Sequence, residues 1–163
     1  MTDDTAPFEA LVAELGYPMY VVTAESGGDV DGCLVGFASQ CSISPPRFVA
    51  CLSKQNRTTG LARSATSVVV HVLHDADRDL AERFGTVTAD QTDKLAGLAW
   101  SPGPDGAPVL DNLDWFAGRV VARHDVGDHI AYVLDVHGGS STRATTPQLG
   151  FQAVRNLTAG HDP

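Results

Sequence analysis

The sequence predicts a mainly β domain in which an antiparallel barrel carries a few helical additions. Short apolar runs rich in β-branched and aromatic residues are separated by turn signals, which is typical of antiparallel strands. The helical segments alternate too irregularly with these runs for a doubly wound sheet, and no G-x-G-x-x-G follows the first run to support a Rossmann site. Since the chain has 163 residues, 43% of them apolar, we expect one domain spanning 1–163, with a core at about 8–137 and a C-terminal extension at 138–163.

Six segments have the composition of strands. They are residues 17–24, 33–38, 47–52, 67–73, 113–123 and 130–137. Ser26–Asp29 and Asp31-Gly32 are predicted turns ahead of the second strand, and a small, polar segment that ends in Pro45-Pro46 joins the second strand to the third. His71 lies on a partly apolar face of the fourth strand. We expect it to be a hydrogen-bonded structural residue; the alternatives are a pocket wall and a subunit contact.

Three segments are predicted helices. In residues 6–15 the apolar residues recur at i, i+3, i+4 and i+7, which indicates a helix whose apolar face covers one end of the sheet. Residues 75–84 form the clearest helix, with Asp75 as its N-cap and Gly85 just past its end. Residues 90–100 form a weaker helix, followed by a loop at 101–108. We expect the polar tail from Gly138 onward to lie on a neighbouring subunit or to be loosely held.

Composition excludes several classes of partner. The net charge of −9 and the lack of any basic run argue against a nucleic-acid partner. No stretch approaches the roughly 20 apolar residues of a membrane helix, and the acidic N-terminus lacks the positive segment of a signal peptide, so we expect a cytoplasmic protein. Cys33, Cys41 and Cys51 show no C-x-x-C spacing, which favours reduced thiols over disulfides or a metal site.

A dense polar and cationic run follows the third strand and enters a short helix-like segment. It contains Ser53, Lys54, Gln55, Asn56, Arg57 and Thr58. Because a helix N-terminus offers unpaired N–H groups and a positive dipole end, the run suits an anion such as a phosphate. The alternative is an ordinary capped helix entry.

His129 starts the last predicted strand directly after a turn, where a side chain can reach a cleft; the alternative is a hairpin cap. No paired carboxylates, G-x-S-x-G or H-E-x-x-H motif accompany it. A phosphate site with little acid–base chemistry predicts a cofactor that carries the reaction itself, and a flavin is such a cofactor.

An ordered set of motifs covers most of residues 16 to 136. The set consists of Ser42-x-Ser44-Pro45-Pro46, Asn56-x-Thr58, the strand Val68–Leu73, Leu80-Ala81-x-x-Phe84-Gly85 and Gly127-Asp128-His129. In this order it resembles the flavin reductase-like domain, which has the FMN-binding split-barrel fold. The resemblance implies an NAD(P)H:flavin oxidoreductase that passes hydride from NADH or NADPH to FMN, with FAD as the other candidate flavin. It also implies a homodimer and, as a partner, a monooxygenase that receives reduced flavin.

The resemblance also implies the residues of the site. His129 would lie near the nicotinamide, and the other members would contact the flavin. Those expected beside its ring and ribityl chain are Ala38, Ser39, Gln40, Cys41 and Ser42. Those expected at its phosphate are Ser53, Lys54, Asn56, Arg57 and Thr58. Arg83, Phe84 and Gly85 are further candidates at the end of the predicted helix.

Two other functions fit the same fold. One is a flavin-binding protein without reductase activity, which would have the same cradle but no hydride transfer. The other is a split-barrel enzyme that uses a deazaflavin or oxidises a pyridoxal-type substrate. Gln40 and Cys41 depart from the small hydroxyl and aliphatic residues expected of the family at these positions, so contacts to the flavin edge would differ here.

Overall fold

The computed structural model describes residues 4–86, 93–143 and 145–157. Its strands are β1 Tyr20–Ser26, β2 Asp29–Val35, β3 Ala38–Ser42, β4 Arg47–Ser53, β5 Ser67–Val72, β6 Trp100–Pro102, β7 Pro108–Leu110, β8 Asp114–Asp125 and β9 His129–Ser140. Its helices are α1 Ala6–Ala13, α2 Arg57–Ala62, α3 Arg78–Thr86 and α4 Phe151–Val154. Short 3-10 turns occupy Asp75–Asp77 and Pro104–Gly106.

Seven strands form one antiparallel sheet in the order β2-β1-β5-β8-β9-β4-β3, and β6 pairs with β7 separately. The sheet ends at β2 on one side and at β3 on the other, yet only Gly36 and Phe37 separate these strands in sequence. Three residue steps span at most roughly 11 Å, so the two edges must curl towards each other. An antiparallel sheet whose edges approach without pairing is a split barrel, which confirms the predicted fold class. We call the opening between β2 and β3 the seam.

The sheet separates two large apolar clusters. The cluster inside the barrel contains Tyr20, Val22, Phe48, Leu52, Val70, Tyr132 and Leu134. The cluster on the outer side, beneath α3 and α4, contains Met19, Val21, Leu73, Phe84, Leu110, Leu149 and Val154. Residues of β1 alternate between the two, as the period of two in a strand requires. Burial on both faces explains the near-continuous apolar runs of β1 and β5.

The second predicted strand and its flanks were partly wrong. Asp31 and Gly32 lie inside β2 and not in a turn, because a Gly-Gly turn at 27–28 already reverses the chain. Both of these glycines have positive φ, +62° and +89°, as a tight hairpin requires. Gly32 is needed for packing: an added Cβ would lie 2.9 Å from Cε1 of Phe84. The polar segment at 38–42, predicted as a connection, is the edge strand β3.

The helix at 75–84 begins with a 3-10 turn, and two details of the prediction were wrong. His74 and not Asp75 is the N-cap, and its N–H donates to the carboxylate of Asp77 over 2.8 Å. Gly85 lies inside α3 and not beyond it. A glycine at this position lets α3 pack closely on β2, since an added Cβ would lie 2.8 Å from Cδ2 of Leu34.

The predicted helix at 90–100 is not confirmed in the part that the structure describes, 93–100, which forms a turn at 94–97 and enters β6. The guanidinium of Arg83 donates to the carbonyls of Lys94 and Ala96, which a helix would use internally. Lys94 is buried, and its ammonium donates to the carbonyls of Gly32 and Phe84 at 3.1 and 3.4 Å. In this segment, hydrogen bonds from side chains to backbone carbonyls therefore take the place of the backbone hydrogen bonds of a helix. The predicted loop at 101–108 is a short hairpin formed by β6 and β7.

The N-terminal helix forms, but it does not cover the end of the sheet as predicted. No residue of α1 is buried, and Phe8 and Leu11 are 66% and 72% exposed. The tail prediction was also wrong for 147–157. Leu149 is buried, its N–H donates to the carbonyl of Leu73, and its own carbonyl accepts from the N–H of Met19. This segment packs on its own barrel.

The prediction for His71 was right. Its Nδ1 donates to the carbonyl of Val21 over 3.0 Å, and its Nε2 accepts from the N–H of Leu110 over 2.9 Å. Burial lowers the pKa of His71 to about 4 despite the opposing bond to Val21. The three cysteines are free thiols. In the described residues, no helix is long and apolar enough to cross a membrane, and no cluster of three metal-ligating side chains occurs.

Candidate functional site

A cavity of about 320 Å³ opens at the seam of the barrel. It lies where the chain passes from β2 to β3, so the seam itself forms one wall. The side chains and backbone that line it come from six segments of the chain. They are Tyr17, Met19, Leu34, Val35, Gly36, Phe37, Cys51, Ser53, Asn56, Phe84, Gly85, Asp128, His129 and Phe151. We call it the seam cavity.

The sheet register brings the polar end of the cavity together. Ser53 ends β4 and stands opposite His129, which begins β9. Asn56 follows as the N-cap of α2, with extended backbone and no side-chain capping bond, so its amide is not used by the helix. The chain thus carries a hydroxyl, an amide and an imidazole to the same end of the barrel. All three are residues predicted from the sequence.

His129 is held on both sides. Its Nδ1 lies 2.6 Å from Oδ1 of Asp128, and its ring lies 5.2 Å from that of Phe37, centroid to centroid. The hydrogen bond to His129, supported by its charge, lowers the pKa of Asp128. No other hydrogen-bond partner of the imidazole occurs in 4–86, 93–143 and 145–157, so Nε2 is available to a ligand.

The remaining residues of the predicted phosphate run point elsewhere. Thr58 is fully buried, and its hydroxyl donates to the carboxylate of Asp31 over 2.8 Å. Arg57 is exposed on the other side of α2, 3.8 Å from a carboxylate oxygen of Asp29. Lys54 pairs with Asp125 on the surface at 2.7 Å. The structure therefore brings Ser53 and Asn56, but not these three side chains, to the seam cavity.

The segment expected beside the flavin ring is only partly at the cavities. Ser39, Gln40, Cys41 and Ser42 belong to the edge strand β3 and do not line the seam cavity. Ala38 lines an adjoining cavity. The wall is formed instead by the two residues before β3, Gly36 and Phe37. An added Cβ on Gly36 would lie 2.6 Å from Cε2 of Tyr17, so this wall requires a glycine.

The candidates on α3 divide in the same way. Phe84 and Gly85 line the seam cavity, as the prediction requires. Arg83 instead binds the carbonyls of Lys94 and Ala96 and does not line it. Successive helical residues point about 100° apart, so three neighbours on a helix cannot all face one cavity.

Sequence reasoning missed the aromatic wall. Tyr17 and Phe151 are separated by 134 positions, yet their rings stack at 4.7 Å with an interplanar angle of 14°. The N–H of Phe151 donates to the carbonyl of Tyr17, which locks the pair together. Burial raises the pKa of the Tyr17 hydroxyl and that of the Cys51 thiol, so both stay protonated at neutral pH. The weak apolar run at 149–157 was the one signal for Phe151.

The lining suits a planar, mainly apolar ring system with a polar extension. Leu34, Phe37 and Phe84 form apolar walls, while Ser53 and Asn56 supply polar groups at one end. Ligand sites commonly have this composition, with few polar groups that fix orientation. The residues present thus fit a flavin.

Comparisons with known proteins bear on this site. A family model described as "Flavin reductase like domain" matches residues 12–156. The reductase subunit HsaB of a flavin-dependent monooxygenase from Mycobacterium tuberculosis is 31% identical over 123 residues, which are 72% of this chain and 64% of that relative. The chain thus spans less than two thirds of that relative's length. A ferric-chelate reductase (NAD(P)H) from Archaeoglobus fulgidus is 27% identical over 123 residues, which are 74% of this chain and 73% of the relative.

A solved structure gives the same picture for the fold. Nitrilotriacetate monooxygenase component B from Mycobacterium thermoresistibile superposes with a TM-score of 0.77 at 24% identity, over 98% of this chain and 93% of that chain. The match of the family model covers nearly the whole described chain and includes every element of the seam cavity. The chain therefore belongs to the flavin reductase-like domain family.

Proposed function

We propose that this protein is an NAD(P)H-dependent flavin reductase that binds FMN, with FAD as the alternative flavin, in the seam cavity. One observation carries the proposal. Ser53, Asn56, Phe84, Gly85 and His129, each expected at the flavin site on sequence grounds, line one cavity although they come from four elements. The names of two relatives, a monooxygenase reductase subunit and an NAD(P)H-dependent ferric-chelate reductase, support the same chemistry.

In this proposal the apolar walls hold the ring system and the polar end holds its extension. Ser53 and Asn56 are the first contacts of the phosphate. Lys54 is paired with Asp125 on the surface and does not line the cavity, so the phosphate would be held by neutral hydrogen-bond donors. A bound flavin supplies the hydride-accepting chemistry, so the chain needs no acid–base pair of its own.

The nicotinamide side of the site centres on His129. Asp128 binds Nδ1 and leaves Nε2 directed at the ligand. Phe37 packs against the imidazole and supports its orientation. These residues orient the nicotinamide and do not themselves transfer electrons.

Two partners belong to the proposal. The first is a second copy of the chain in a homodimer, as the family resemblance implies; light scattering on the purified protein tests this. The second is a monooxygenase that consumes reduced flavin, since one relative is named as a reductase subunit of such an enzyme. A reaction that uses a nicotinamide nucleotide also agrees with the cytoplasmic location expected from the sequence.

The experiment is a visible spectrum of the purified protein with one equivalent of FMN or FAD, followed by anaerobic addition of NADH and then NADPH. Bleaching of the flavin band is the expected result. A bound flavin that neither nucleotide bleaches would contradict the reductase and support the flavin-binding alternative. A protein that binds neither flavin, but binds a deazaflavin, would move the proposal to that cofactor.

A further inference from the structure

A cluster of polar side chains lies where two walls of the seam cavity begin. Its members are His74, Asp77, Asp114, Arg143 and Thr146. We call it the root cluster, and we call residues 141–143 and 145–150 the strap. We infer that Asp114 is a positioning residue for the seam cavity, because it holds the strap so that Phe151 reaches Tyr17. The inference rests on the proposed function, since it adds a residue outside the cavity to that same site.

The carboxylate of Asp114 binds the backbone at the start of the strap. Its Oδ1 accepts from the N–H groups of Thr142 and Arg143 over 2.7 and 2.9 Å. Its Oδ2 lies 3.3 Å from Nε2 of His74, and both side chains are more than nine-tenths buried. Burial alone would raise the pKa of Asp114, but the N–H donors and the imidazole together lower it, so the carboxylate is charged at neutral pH. Such charge-assisted bonds are among the stronger hydrogen bonds in proteins, so Asp114 fixes the place where the strap leaves β9.

The root cluster also ties the strap to the residues that lead into α3. Nδ1 of His74 lies 3.1 Å from the carbonyl oxygen of Thr146. The guanidinium of Arg143 donates to the two carboxylate oxygens of Asp77 over 3.1 and 3.0 Å. Asp77 also accepts from the N–H of His74 over 2.8 Å. The cluster therefore joins the strap to the helical segment whose other end lines the seam cavity.

The strap continues from the root cluster to the aromatic wall of the cavity. The N–H of Leu149 donates to the carbonyl of Leu73, and the N–H of Phe151 donates to that of Tyr17. The rings of Tyr17 and Phe151 are stacked at 4.7 Å. Only eight positions separate Arg143 from Phe151, so order at the start of the strap limits the conformations that are open to its end.

A positioning role and a merely structural role of Asp114 predict different kinetics. If Asp114 only stabilised the fold, its loss would lower the folded fraction, and kcat would fall at an unchanged KM. If it positions the strap, its loss moves the aromatic wall and leaves His129 in place, since His129 lies at the opposite end of β9. Flavin binding then weakens while the chemical step is preserved, so KM rises and kcat stays nearly constant.

Limited digestion of the flavin-free full chain with trypsin, which cuts after lysine and arginine, tests the strap directly. Arg143 lies in the strap and Arg123 lies in β8. We expect Asp114→Ala to speed cleavage after Arg143 at least about tenfold and cleavage after Arg123 less than about twofold. Asp75→Asn removes an exposed carboxylate beside the root cluster and should change neither rate. Unchanged cleavage after Arg143, or equal acceleration at both sites, would overturn the inference.

FMN titration and steady-state kinetics give the readout at the cavity. We expect Asp114→Ala to raise the Kd and the KM for FMN about fivefold to tenfold, with kcat within about twofold of the wild type. In a Phe151→Ala background the same substitution should add less than about twofold, because residues that act through one contact are not additive. A fall in kcat at unchanged KM, or full additivity with Phe151→Ala, would contradict a positioning role.

Asp77→Asn repeats the test with Asp114 intact and replaces it if Asp114→Ala does not fold. It removes the charge that holds the guanidinium of Arg143, so cleavage after Arg143 should accelerate at least about threefold. A wild-type rate in folded Asp77→Asn would count against the root cluster. Failure of the proposed function is a separate result: a wild-type protein that neither NADH nor NADPH supplies with hydride would refute the reductase, while digestion and FMN titration still test the strap.

Discussion

Oδ1 of Asp128 lies 2.6 Å from Nδ1 of His129. The carboxylate therefore holds Nδ1 and leaves Nε2 as the ring nitrogen that is free to bind a ligand. Asp128 is otherwise exposed, and its neighbour Gly127 has a positive φ of +126° that turns the chain sharply into β9. The pair thus lies at the tip of a hairpin but points into the barrel seam. A histidine held in this way has a defined orientation before any ligand arrives.

We predict that Asp128→Asn lowers kcat/KM for NAD(P)H oxidation by about tenfold, because an amide is a weaker acceptor for Nδ1–H than a carboxylate. FMN affinity should change less than twofold. Steady-state kinetics from pH 5 to 9 check this, since loss of the charge should also change the pH profile. Asp125→Asn, which removes a surface partner of Lys54, is the control. An unchanged kcat/KM and profile in Asp128→Asn would show that the pair is only a hairpin contact.

The two neighbours at the start of α2 give a sharp test of the polar end. Asn56→Ala should weaken FMN binding about tenfold, since its amide lines the seam cavity. Arg57→Ala should have little effect, because its guanidinium lies towards Asp29. Fluorescence titration of FMN measures both. If Arg57→Ala has the larger effect, the phosphate lies on the opposite side of α2.

The helical glycines provide another matched pair. In Gly85→Ala, the new Cβ pushes Cδ2 of Leu34, and both residues line the seam cavity, so FMN affinity should fall while stability changes little. In Gly60→Ala no atom lies within 4 Å, and the substitution should raise the free energy of unfolding by about 0.5–1 kcal/mol without changing affinity. Urea denaturation and FMN titration separate the two effects. Equal affinities would exclude Gly85 from the binding site.

His71 predicts a pH dependence of stability. Its pKa falls from an ordinary value near 6.5 to about 4 on folding, so the unfolded chain binds the proton more readily below pH 6.5. The contribution of neutral His71 to the free energy of unfolding is complete above about pH 6.5. It is lost as the pH falls towards 4, by on the order of 3 kcal/mol in all. Urea denaturation at pH 7 and pH 5 should show a loss of about 2 kcal/mol. His71→Gln should flatten this slope, and the exposed His124→Gln should not; an identical slope in His71→Gln would contradict the assignment.

Thr58 should contribute to the stability of the fold and not to flavin binding. Thr58→Val leaves the buried carboxylate of Asp31 without its hydroxyl donor, which should cost about 1–3 kcal/mol of unfolding free energy. The exposed Thr66→Val should change it by less than about 0.5 kcal/mol. FMN titration of both variants should match the wild type. A large loss of affinity in a folded Thr58→Val would restore the original phosphate prediction.

Local patterns in the sequence were sufficient for much of the fold. Alternation placed Val70 and His71 on opposite faces of their strand, and turn chemistry located the hairpin at 26–29. The position of His129 at the start of a strand placed it at one end of the sheet. The ordered motifs were specific enough to identify the family. These features depend on neighbours in the chain, which a sequence displays directly.

The remaining features of the candidate site depend on how the barrel closes. Closure placed Gly36 and Phe37 at the seam, brought Phe151 against Tyr17, and turned Thr58 towards Asp31 and away from the cavity. Period and composition give the face of a strand or helix, but the partner that this face meets depends on contacts between residues far apart in the chain. The sequence by itself therefore determined most of the strands, the family and the end of the sheet at which His129 lies. Only the tertiary structure decided which side chains reach the cavities, because that selection depends on how the two edges of the sheet meet.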